Sequence, residues 1–368
     1  MSQTLSAISS VGTSIWLDDL SRERLTVGGA ARSLSELINH ESVVGVTTNP
    51  AIFSAAISNS PLYREEIISL AKSGMNAEEI IASLTCADVS RACEIFSGVH
   101  HQSGGIDGKV SIEVDPRFAR NTEATIEQAR ELWQRINQPN LLIKVPATKE
   151  GLPAIRTLIS EGISVNVTII FSVSRYLEVL DAYQSGLEAR AARGESLTGI
   201  HSVASFFVSR VDTEIDGRLR SSGGHKELEG KAAIANARLA YRAFLESSDN
   251  PRWKALAAQG ALPQRPLWAS TGVKDPAYDS CMYVTELVAP HTVNTMPEGT
   301  LISVRDRAIS ICESITPHFD SAARTLDQLT EVGIDIEEVA EKLESEGIDK
   351  FIKPWEQLIE TVKKVAAS

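Results

Sequence analysis

The chain is poor in cysteine, in positive charge and in long apolar runs. Its four cysteines, Cys86, Cys93, Cys281 and Cys312, show no CxxC spacing, which argues against a disulfide framework or a cysteine metal site. Acidic residues outnumber Lys and Arg by 48 to 36, and the net charge of -12 disfavours a nucleic-acid or anionic-membrane partner. No apolar stretch approaches membrane-spanning length, and no cationic segment precedes an apolar run at the N-terminus. We therefore expect a cytoplasmic protein.

What the chain does contain is a series of short apolar segments that alternate with helical patterns. With 368 residues and 43% hydrophobic content it can form a large core. The segments predict eight strands, at residues 14–18, 43–47, 109–117, 141–147, 163–172, 199–207, 265–271 and 288–297, the last interrupted by Pro290. Apolar strands that alternate with helices pair in parallel, and eight such units close a (β/α)8, or TIM, barrel.

Extra helices surround this predicted α/β barrel. Two long helical insertions follow strands 2 and 6, at about residues 51–100 and 211–258. Residues 301–368 predict further helices, with breaks at Pro317 and Pro354. No low-complexity linker precedes this extension. We therefore interpret residues 1–368 as one barrel domain, with residues 301–368 a C-terminal helical extension packed on it.

The fourth predicted strand carries the first candidate for chemistry. Residues 141–147 read LLIKVPA, in which Lys144 is a single cation among apolar residues. In a strand buried on both faces the ammonium is desolvated, so we expect a lowered pKa for Lys144 and a nucleophilic amine. The alternative is a lysine at a strand end that extends to water, and this segment alone does not decide between them.

Polar residues on the neighbouring strands favour the first interpretation. Side chains alternate along a strand, so residues two apart share a face. The face directed at the barrel axis then carries Ser111, Glu113 and Asp115 on strand 3, Leu142 and Lys144 on strand 4, and Asn166 and Thr168 on strand 5. All of these except Leu142 are polar. Polar side chains near the C-terminal ends of barrel strands are typical of an active site in this architecture.

Other polar residues fit structural roles better. His100 and His101 are predicted to lie in a loop and lack a carboxylate at metal-ligand spacing, so we interpret them as surface residues. His201 is predicted inside strand 6 as a hydrogen-bonded core histidine. Asp19 and Asp115 are interpreted as caps or solvated carboxylates.

With these residues identified, the chain resembles the transaldolase family, and in particular its larger bacterial members. The matching stretches follow the family's order and cover most of the barrel: IWLDD (15–19), GVTTNPAIF (45–53), VSIEVDPR (110–117), LLIKVPAT (141–148), VNVTIIFS (165–172), ASFFVSR (204–210) and WASTGVKDP (268–276).

The resemblance implies roles for these residues. Lys144 would be the Schiff-base lysine and Asp18 the general acid/base on the substrate hydroxyl, and Glu113 and Thr168 would hold the water that shuttles protons. The substrate-binding residues would be Asn49, Asn166 and Ser205 for sugar hydroxyls, and Arg210 for phosphate. Better-known members have a second phosphate-binding arginine after strand 7, where this chain reads Ser270-Thr271-Gly272-Val273-Lys274. We therefore place Ser270 and Lys274 at the substrate and give the second cation's role to Lys274.

The reaction implied by the resemblance is transfer of a dihydroxyacetone unit from sedoheptulose 7-phosphate to glyceraldehyde 3-phosphate. The products would be erythrose 4-phosphate and fructose 6-phosphate, in the non-oxidative pentose phosphate pathway, with no organic cofactor and no metal. We expect a monomer or homodimer. The alternatives are a related Schiff-base aldolase that releases the three-carbon unit to water, and a barrel that only binds sugar phosphate. A metal-dependent barrel hydrolase is disfavoured because His and carboxylate ligands are lacking on the strand ends.

Overall fold

The computed structural model describes residues 2–29 and 31–368 and contains a closed parallel barrel. Each strand pairs with the next in the chain, and the last pairs with the first, which confirms the predicted (β/α)8 architecture. The strands are β1 (Thr13–Leu17), β2 (Val43–Val46), β3 (Lys109–Glu113), β4 (Leu141–Pro146), β5 (Val165–Ile170), β6 (Ser202–Phe207), β7 (Arg265–Ala269) and β8 (Thr292–Met296).

Two strands start three or more residues later than the sequence pattern indicated. β6 begins at Ser202, so the prediction that His201 lies inside a strand was wrong. β8 begins at Thr292, beyond Pro290, because proline has no backbone N–H to donate to a sheet. Both differences lie at the N-terminal end of the barrel.

Helices follow the strands and form the two predicted insertions. The helices are α1 (Gln3–Val11), α2 (Arg22–Leu25), α3 (Leu34–Glu41), α4 (Pro50–Asn59), α5 (Arg64–Lys72), α6 (Ala77–Gln102), α7 (Thr122–Ile136), α8 (Gly151–Ser160), α9 (Val173–Ala192), α10 (Ser209–Ser222), α11 (Ala232–Asp249), α12 (Pro251–Ala257), α13 (Met282–Thr285), α14 (Glu298–Arg305), α15 (Phe319–Glu331) and α16 (Ile336–Ala366). Four 3-10 turns among the described residues lie at Pro61–Tyr63, Pro116–Phe118, Lys226–Leu228 and Thr316–His318.

Three residues that the sequence pattern placed in a loop or at a helix break lie inside helices in the structure. His100 and His101 end α6 rather than lying in a loop, and Pro354 lies inside α16 rather than breaking it. An interior proline removes one helical hydrogen bond. Helix α16 packs against α4, α5 and α6, and this burial offsets the loss. Pro317 does mark a break, because it lies in the 3-10 turn before α15.

A large aromatic side chain of β1 packs closely against the backbone of β2. Trp16 on β1 is fully buried and lies opposite Gly45 on β2. A Cβ atom at Gly45 would come within 2.6 Å of the Trp16 ring, so only glycine admits this packing. By strand alternation Asp18 follows on the face that Trp16 occupies, which directs it to the C-terminal end of the barrel.

The C-terminal extension reaches the functional end of the barrel. Helix α16 contacts α4, α5 and α6, which follow β2, and also β5 and α10 on another side of the barrel. It therefore crosses the end of the barrel at which the strands terminate. None of the helices in the described residues is long and apolar enough to span a bilayer.

Candidate functional site

Lys144 ends inside the barrel and not in solvent. It lies on β4 in register with Glu113 on β3, and its side chain is 6% exposed. Its Nζ donates to the carbonyl oxygen of Thr48 at 2.8 Å and to Glu113 Oε2 at 3.1 Å. The amine is thus held in one position by two acceptors, and it opens onto a cavity.

This cavity has a volume of about 160 Å³ and lies at the C-terminal ends of the strands. Eight of the ten expected site residues line it: Asp18, Asn49, Lys144, Thr168, Ser205, Arg210, Ser270 and Lys274. The other two, Glu113 and Asn166, touch residues that line the cavity. The structure therefore brings residues from seven strands or their following loops together around one amine.

Asp18 and Asp19 point to different surroundings. Asp18 follows β1 and lines the cavity, where Thr47 donates a hydrogen bond of 2.7 Å to its Oδ1. Burial raises the pKa of Asp18, and the charge of Lys144 opposes that rise. Asp19 instead accepts a hydrogen bond of 2.8 Å from Arg24 Nε, so its expected capping role is replaced by an ion pair.

Glu113 and Thr168 both retain hydrogen-bonding capacity beside the lysine. Glu113 Oε2 is bonded to Lys144, but Oε1 is buried and has no partner among residues 2–29 and 31–368. The same holds for Thr168 Oγ1 in that part of the chain. Because buried polar atoms are normally paired, these two atoms are suited to a substrate group or a bound water. Burial also raises the pKa of Glu113, against the opposing charge of Lys144.

The backbone after Thr168 is irregular. Ile169 has a φ of 56°, which is unfavourable for a β-branched residue. The pairing of β5 with β6 shifts register between Val167 and Ile170 at the same place. Such irregularities change the direction in which a side chain points, and this one adjoins the cavity residue Thr168.

Asp115 does not share the face of Glu113, although strand alternation predicted that it would. It lies past the end of β3, accepts a hydrogen bond from the Arg117 backbone N–H, and caps the following 3-10 turn.

The three residues expected at sugar hydroxyls differ in what they can offer. Asn166 is fully buried: its Oδ1 accepts from Ser205 at 2.7 Å and its Nδ2 donates to Ser111 at 3.0 Å. It therefore orients Ser205, which lines the cavity. Asn49 uses its Oδ1 to cap α4, accepting from Ile52 N–H at 3.0 Å, which leaves its amide N–H groups for the cavity.

Arg210 is a cation without a carboxylate partner among the described residues. It lies in the first turn of α10, its Nη1 is buried and unpaired in that part of the chain, and its Cζ lies 5.1 Å from the Phe207 ring centre. The nearby acids are engaged elsewhere: Asp212 accepts from Tyr283 O–H, and Glu214 pairs with Arg218. Burial lowers the pKa of Arg210, which the nearby carboxylates oppose.

Two residues after β7 complete the cationic side of the cavity. Ser270 has a φ of 56° and its Oγ lies 2.9 Å from Ser209 Oγ, which ties the end of β7 to the start of α10. Lys274 lines the same cavity and is exposed. A guanidinium, an ammonium and a hydroxyl thus line the same cavity, a combination of groups suited to binding phosphate.

Comparison with known proteins gives the family. The family model described as transaldolase/fructose-6-phosphate aldolase matches residues 15–362. A transaldolase of Saccharopolyspora erythraea is 53% identical over 360 residues, covering 98% of this chain and 97% of the relative. One of Thermobifida fusca is 50% identical over 370 residues and covers 100% of both chains. One of Mycobacterium bovis is 52% identical over 362 residues, with 98% and 96% covered. The chain belongs to the transaldolase/fructose-6-phosphate aldolase family.

The expected transaldolase residues do not account for the whole cavity. Thr47, Phe207, Thr295, Pro297 and Phe351 also line it. Phe351 comes from α16, whose role at the site the sequence did not reveal, because nothing in a helical pattern shows which distant element it covers. Thr47 could have been predicted as a site residue from the sequence, since it lies in the GVTTNPAIF stretch that carries the family resemblance.

A second buried lysine lies at the other end of the barrel of this transaldolase-family chain. Lys109 begins β3, is 1% exposed, and its Nζ has no hydrogen-bond partner within the described ranges. Burial lowers the pKa of Lys109 to about 7, although Asp107 opposes the shift. The cavity at the strand C-termini includes Lys144 and not Lys109, so the two amines differ in their position in the barrel.

Proposed function

We propose that this chain is a transaldolase, which transfers a dihydroxyacetone unit from sedoheptulose 7-phosphate to glyceraldehyde 3-phosphate through a Schiff base on Lys144. The observation that carries the proposal is the position of Lys144 Nζ, which is buried, 3.1 Å from Glu113, and opens onto a cavity shared with Asp18 and Arg210. These groups supply a nucleophile, two carboxylates for proton transfer and a cation for phosphate.

The first step is imine formation. Glu113 Oε2 lies 3.1 Å from Lys144 Nζ, so this carboxylate is positioned to accept a proton from the amine that attacks the substrate. The amine attacks the C2 ketone of sedoheptulose 7-phosphate. Water leaves with the help of Glu113 and Thr168, which hold the water that shuttles protons. The product is a protonated imine, which withdraws electrons from the adjacent C3–C4 bond.

Carbon–carbon cleavage and transfer follow. Asp18 takes the proton of the C4 hydroxyl, the C3–C4 bond breaks, and its electron pair passes to the imine as an enamine. Erythrose 4-phosphate leaves. The enamine carbon then adds to the aldehyde carbon of glyceraldehyde 3-phosphate, Asp18 returns the proton to the new alkoxide, and hydrolysis of the imine releases fructose 6-phosphate. Arg210 and Lys274 bind the phosphate, while Asn49 and Ser205, with Asn166 orienting Ser205, bind hydroxyls.

The experiment is a transfer assay in the reverse direction. The purified protein receives fructose 6-phosphate and erythrose 4-phosphate, and sedoheptulose 7-phosphate and glyceraldehyde 3-phosphate are measured. We expect transfer by the parent, none by Lys144→Ala, and parental activity in Lys149→Ala, whose lysine lies outside the cavity. Transfer by Lys144→Ala would contradict the proposal. Release of dihydroxyacetone by the parent at the expense of transfer would favour the related aldolase.

The cytoplasmic location, the monomeric or homodimeric state and the single-domain organisation of residues 1–368 stay predictions from the sequence.

A further inference from the structure

The C-terminal helix contributes to the cavity that holds Lys144. Phe351 on α16 is 6% exposed and lines the cavity. Its ring centre lies 5.9 Å from Lys144 Nζ and 5.8 Å from Arg210 Cζ. The ring therefore lies about equally close to the amine proposed to carry the sugar and to the cation proposed to bind its phosphate.

Gly347, one helical turn before Phe351, allows α16 to lie close to the barrel. A Cβ atom at this position would lie 3.7 Å from both Arg210 Nη1 and Ile169 Cγ2, so the helix backbone itself borders the cavity residues. Residues four apart share a helix face, and this face is directed at the end of the barrel. The helix therefore covers the site with the apolar ring of Phe351 and with its backbone at Gly347. Neither residue presents an exchangeable side-chain proton to the cavity.

Polar contacts in the N-terminal part of α16 fix this helix to its neighbours. Lys342 pairs with Glu214 on α10 at 2.7 Å, and Glu338 pairs with Arg218 on the same helix at 3.2 Å. Ser174 on α9 donates to Glu337 at 2.5 Å. Each exposed pair contributes little alone, but together they hold the register that places Phe351 over the cavity.

We propose that Phe351 determines whether the three-carbon enamine on Lys144 is transferred to an aldehyde or lost as free dihydroxyacetone. This inference rests on the proposed function. The enamine has two fates. In transfer, its carbon attacks the aldehyde carbon and the new alkoxide takes a proton from Asp18. In loss, the same carbon takes a proton from solvent, water adds to the resulting imine, and the C–N bond breaks to give dihydroxyacetone and the free amine.

The two fates differ in what must reach the enamine carbon. A carbon two bonds from Nζ lies about 2.5 Å from it, so on the line from Nζ to the ring centre at 5.9 Å it would lie about 3.4 Å from the ring, in ordinary van der Waals contact. The Phe351 ring can thus cover the enamine and keep solvent protons away, while the aldehyde enters through the cavity. Exclusion of water from a reactive intermediate is a recognised use of active-site closure.

The test measures the partition of one intermediate. With fructose 6-phosphate as donor and erythrose 4-phosphate as acceptor, the ratio of dihydroxyacetone released to sedoheptulose 7-phosphate formed is determined for the parent, Phe351→Ala and Phe351→Leu. We expect the ratio to rise about tenfold or more in Phe351→Ala, which corresponds to about 1.4 kcal/mol of barrier difference. Phe351→Leu, which keeps part of the apolar cover, should give an intermediate ratio.

A ratio taken within one sample does not depend on the fraction of folded protein, so a purely structural loss leaves it unchanged. Ile352→Ala, on the same helix but outside the cavity, is the matched control and should keep the parental ratio. The parental ratio in Phe351→Ala, or an equal rise in Ile352→Ala, would overturn the inference while transfer by the parent still supports the proposed function. Absence of transfer by the parent would instead refute the proposed function itself.

Discussion

Lys144 Nζ lies 3.1 Å from Glu113 Oε2, and both side chains are buried. Each charge offsets the desolvation of the other, and removal of one partner would leave an uncompensated buried charge. An imine on Lys144 that is protonated keeps a positive charge at the same nitrogen. Glu113 therefore faces a cation both before and after the Schiff base forms, so the pair suits the intermediate as well as the resting enzyme.

The environments of Asp18 and Asp19 predict very different effects of the same substitution. Asp18→Asn should slow carbon–carbon cleavage by about 10²–10⁴-fold, because a general base is lost from the cavity while Lys144 remains able to form an imine. Borohydride should then trap the intact sugar on the protein rather than a three-carbon fragment. Mass spectrometry of the reduced protein separates these two adducts.

The matched control is Asp19→Asn, which weakens a partly exposed ion pair with Arg24 and leaves the cavity intact. Its transfer rate should remain close to that of the parent. A large loss in Asp19→Asn together with a small one in Asp18→Asn would mean that the two carboxylates had been assigned to the wrong roles.

Arg210 predicts a substrate-dependent effect. Arg210→Ala should raise KM for fructose 6-phosphate far more than KM for unphosphorylated fructose, because the lost bonds to a charged group contribute about 1.5–3 kcal/mol each, roughly 10- to 100-fold. Steady-state kinetics with both donors measures the difference. Arg218→Ala, on the same helix but paired with Glu214, should affect both donors alike. Equal losses for both donors in Arg210→Ala would assign Arg210 a structural role.

Asp212 predicts a pH-dependent stability. Burial raises the pKa of Asp212 to about 7 from its ordinary 3.8, although Ala233 N–H and Tyr283 O–H both donate to it. Between about pH 4 and pH 7 the folded protein holds a proton that the unfolded chain has released. This group's contribution to the free energy of unfolding is therefore full below pH 4. It falls by up to about 1.4 kcal/mol per pH unit until about pH 7.

Denaturant unfolding of the parent and Asp212→Asn across this range tests the prediction. The stability of Asp212→Asn relative to the parent should rise from pH 4 to pH 7 and then level off. Asp327→Asn, which changes an exposed carboxylate on α15, should show no such trend. A constant difference between the parent and Asp212→Asn would show that Asp212 does not titrate differently in the folded and unfolded chains.

The sequence was sufficient to predict the barrel, because apolar segments and their spacing reflect local burial. It also predicted that Glu113, Lys144 and Thr168 share the inner face, since strand alternation is a local rule. It did not predict α1, although Leu5 and Ile8 are fully buried on it, because the polar serines around them dilute the pattern.

The remaining features depend on contacts between distant parts of the chain. Phe351 lies 207 positions after Lys144, and only the path of α16 across the barrel brings its ring to the cavity. Pro354 was taken as a break because local propensity forbids it, whereas tertiary packing maintains the helix. Asn166 was expected to bind the substrate, whereas its side chain is hydrogen-bonded to Ser111 and Ser205. These bonds depend on the register of three strands, which the sequence pattern does not give.

The central claim is that Lys144 forms the covalent intermediate, and borohydride reduction in the presence of fructose 6-phosphate tests it most directly. Peptide mass mapping locates the modified amine. The informative competitors are Lys109, which is buried and has a pKa lowered to about 7, and Lys149, which lies just beyond β4. We predict a dihydroxyacetone-derived adduct on Lys144 alone, dependent on the sugar phosphate. An adduct on Lys109 or Lys149 with Lys144 unmodified, or no adduct in a protein that still catalyses transfer, would contradict the account.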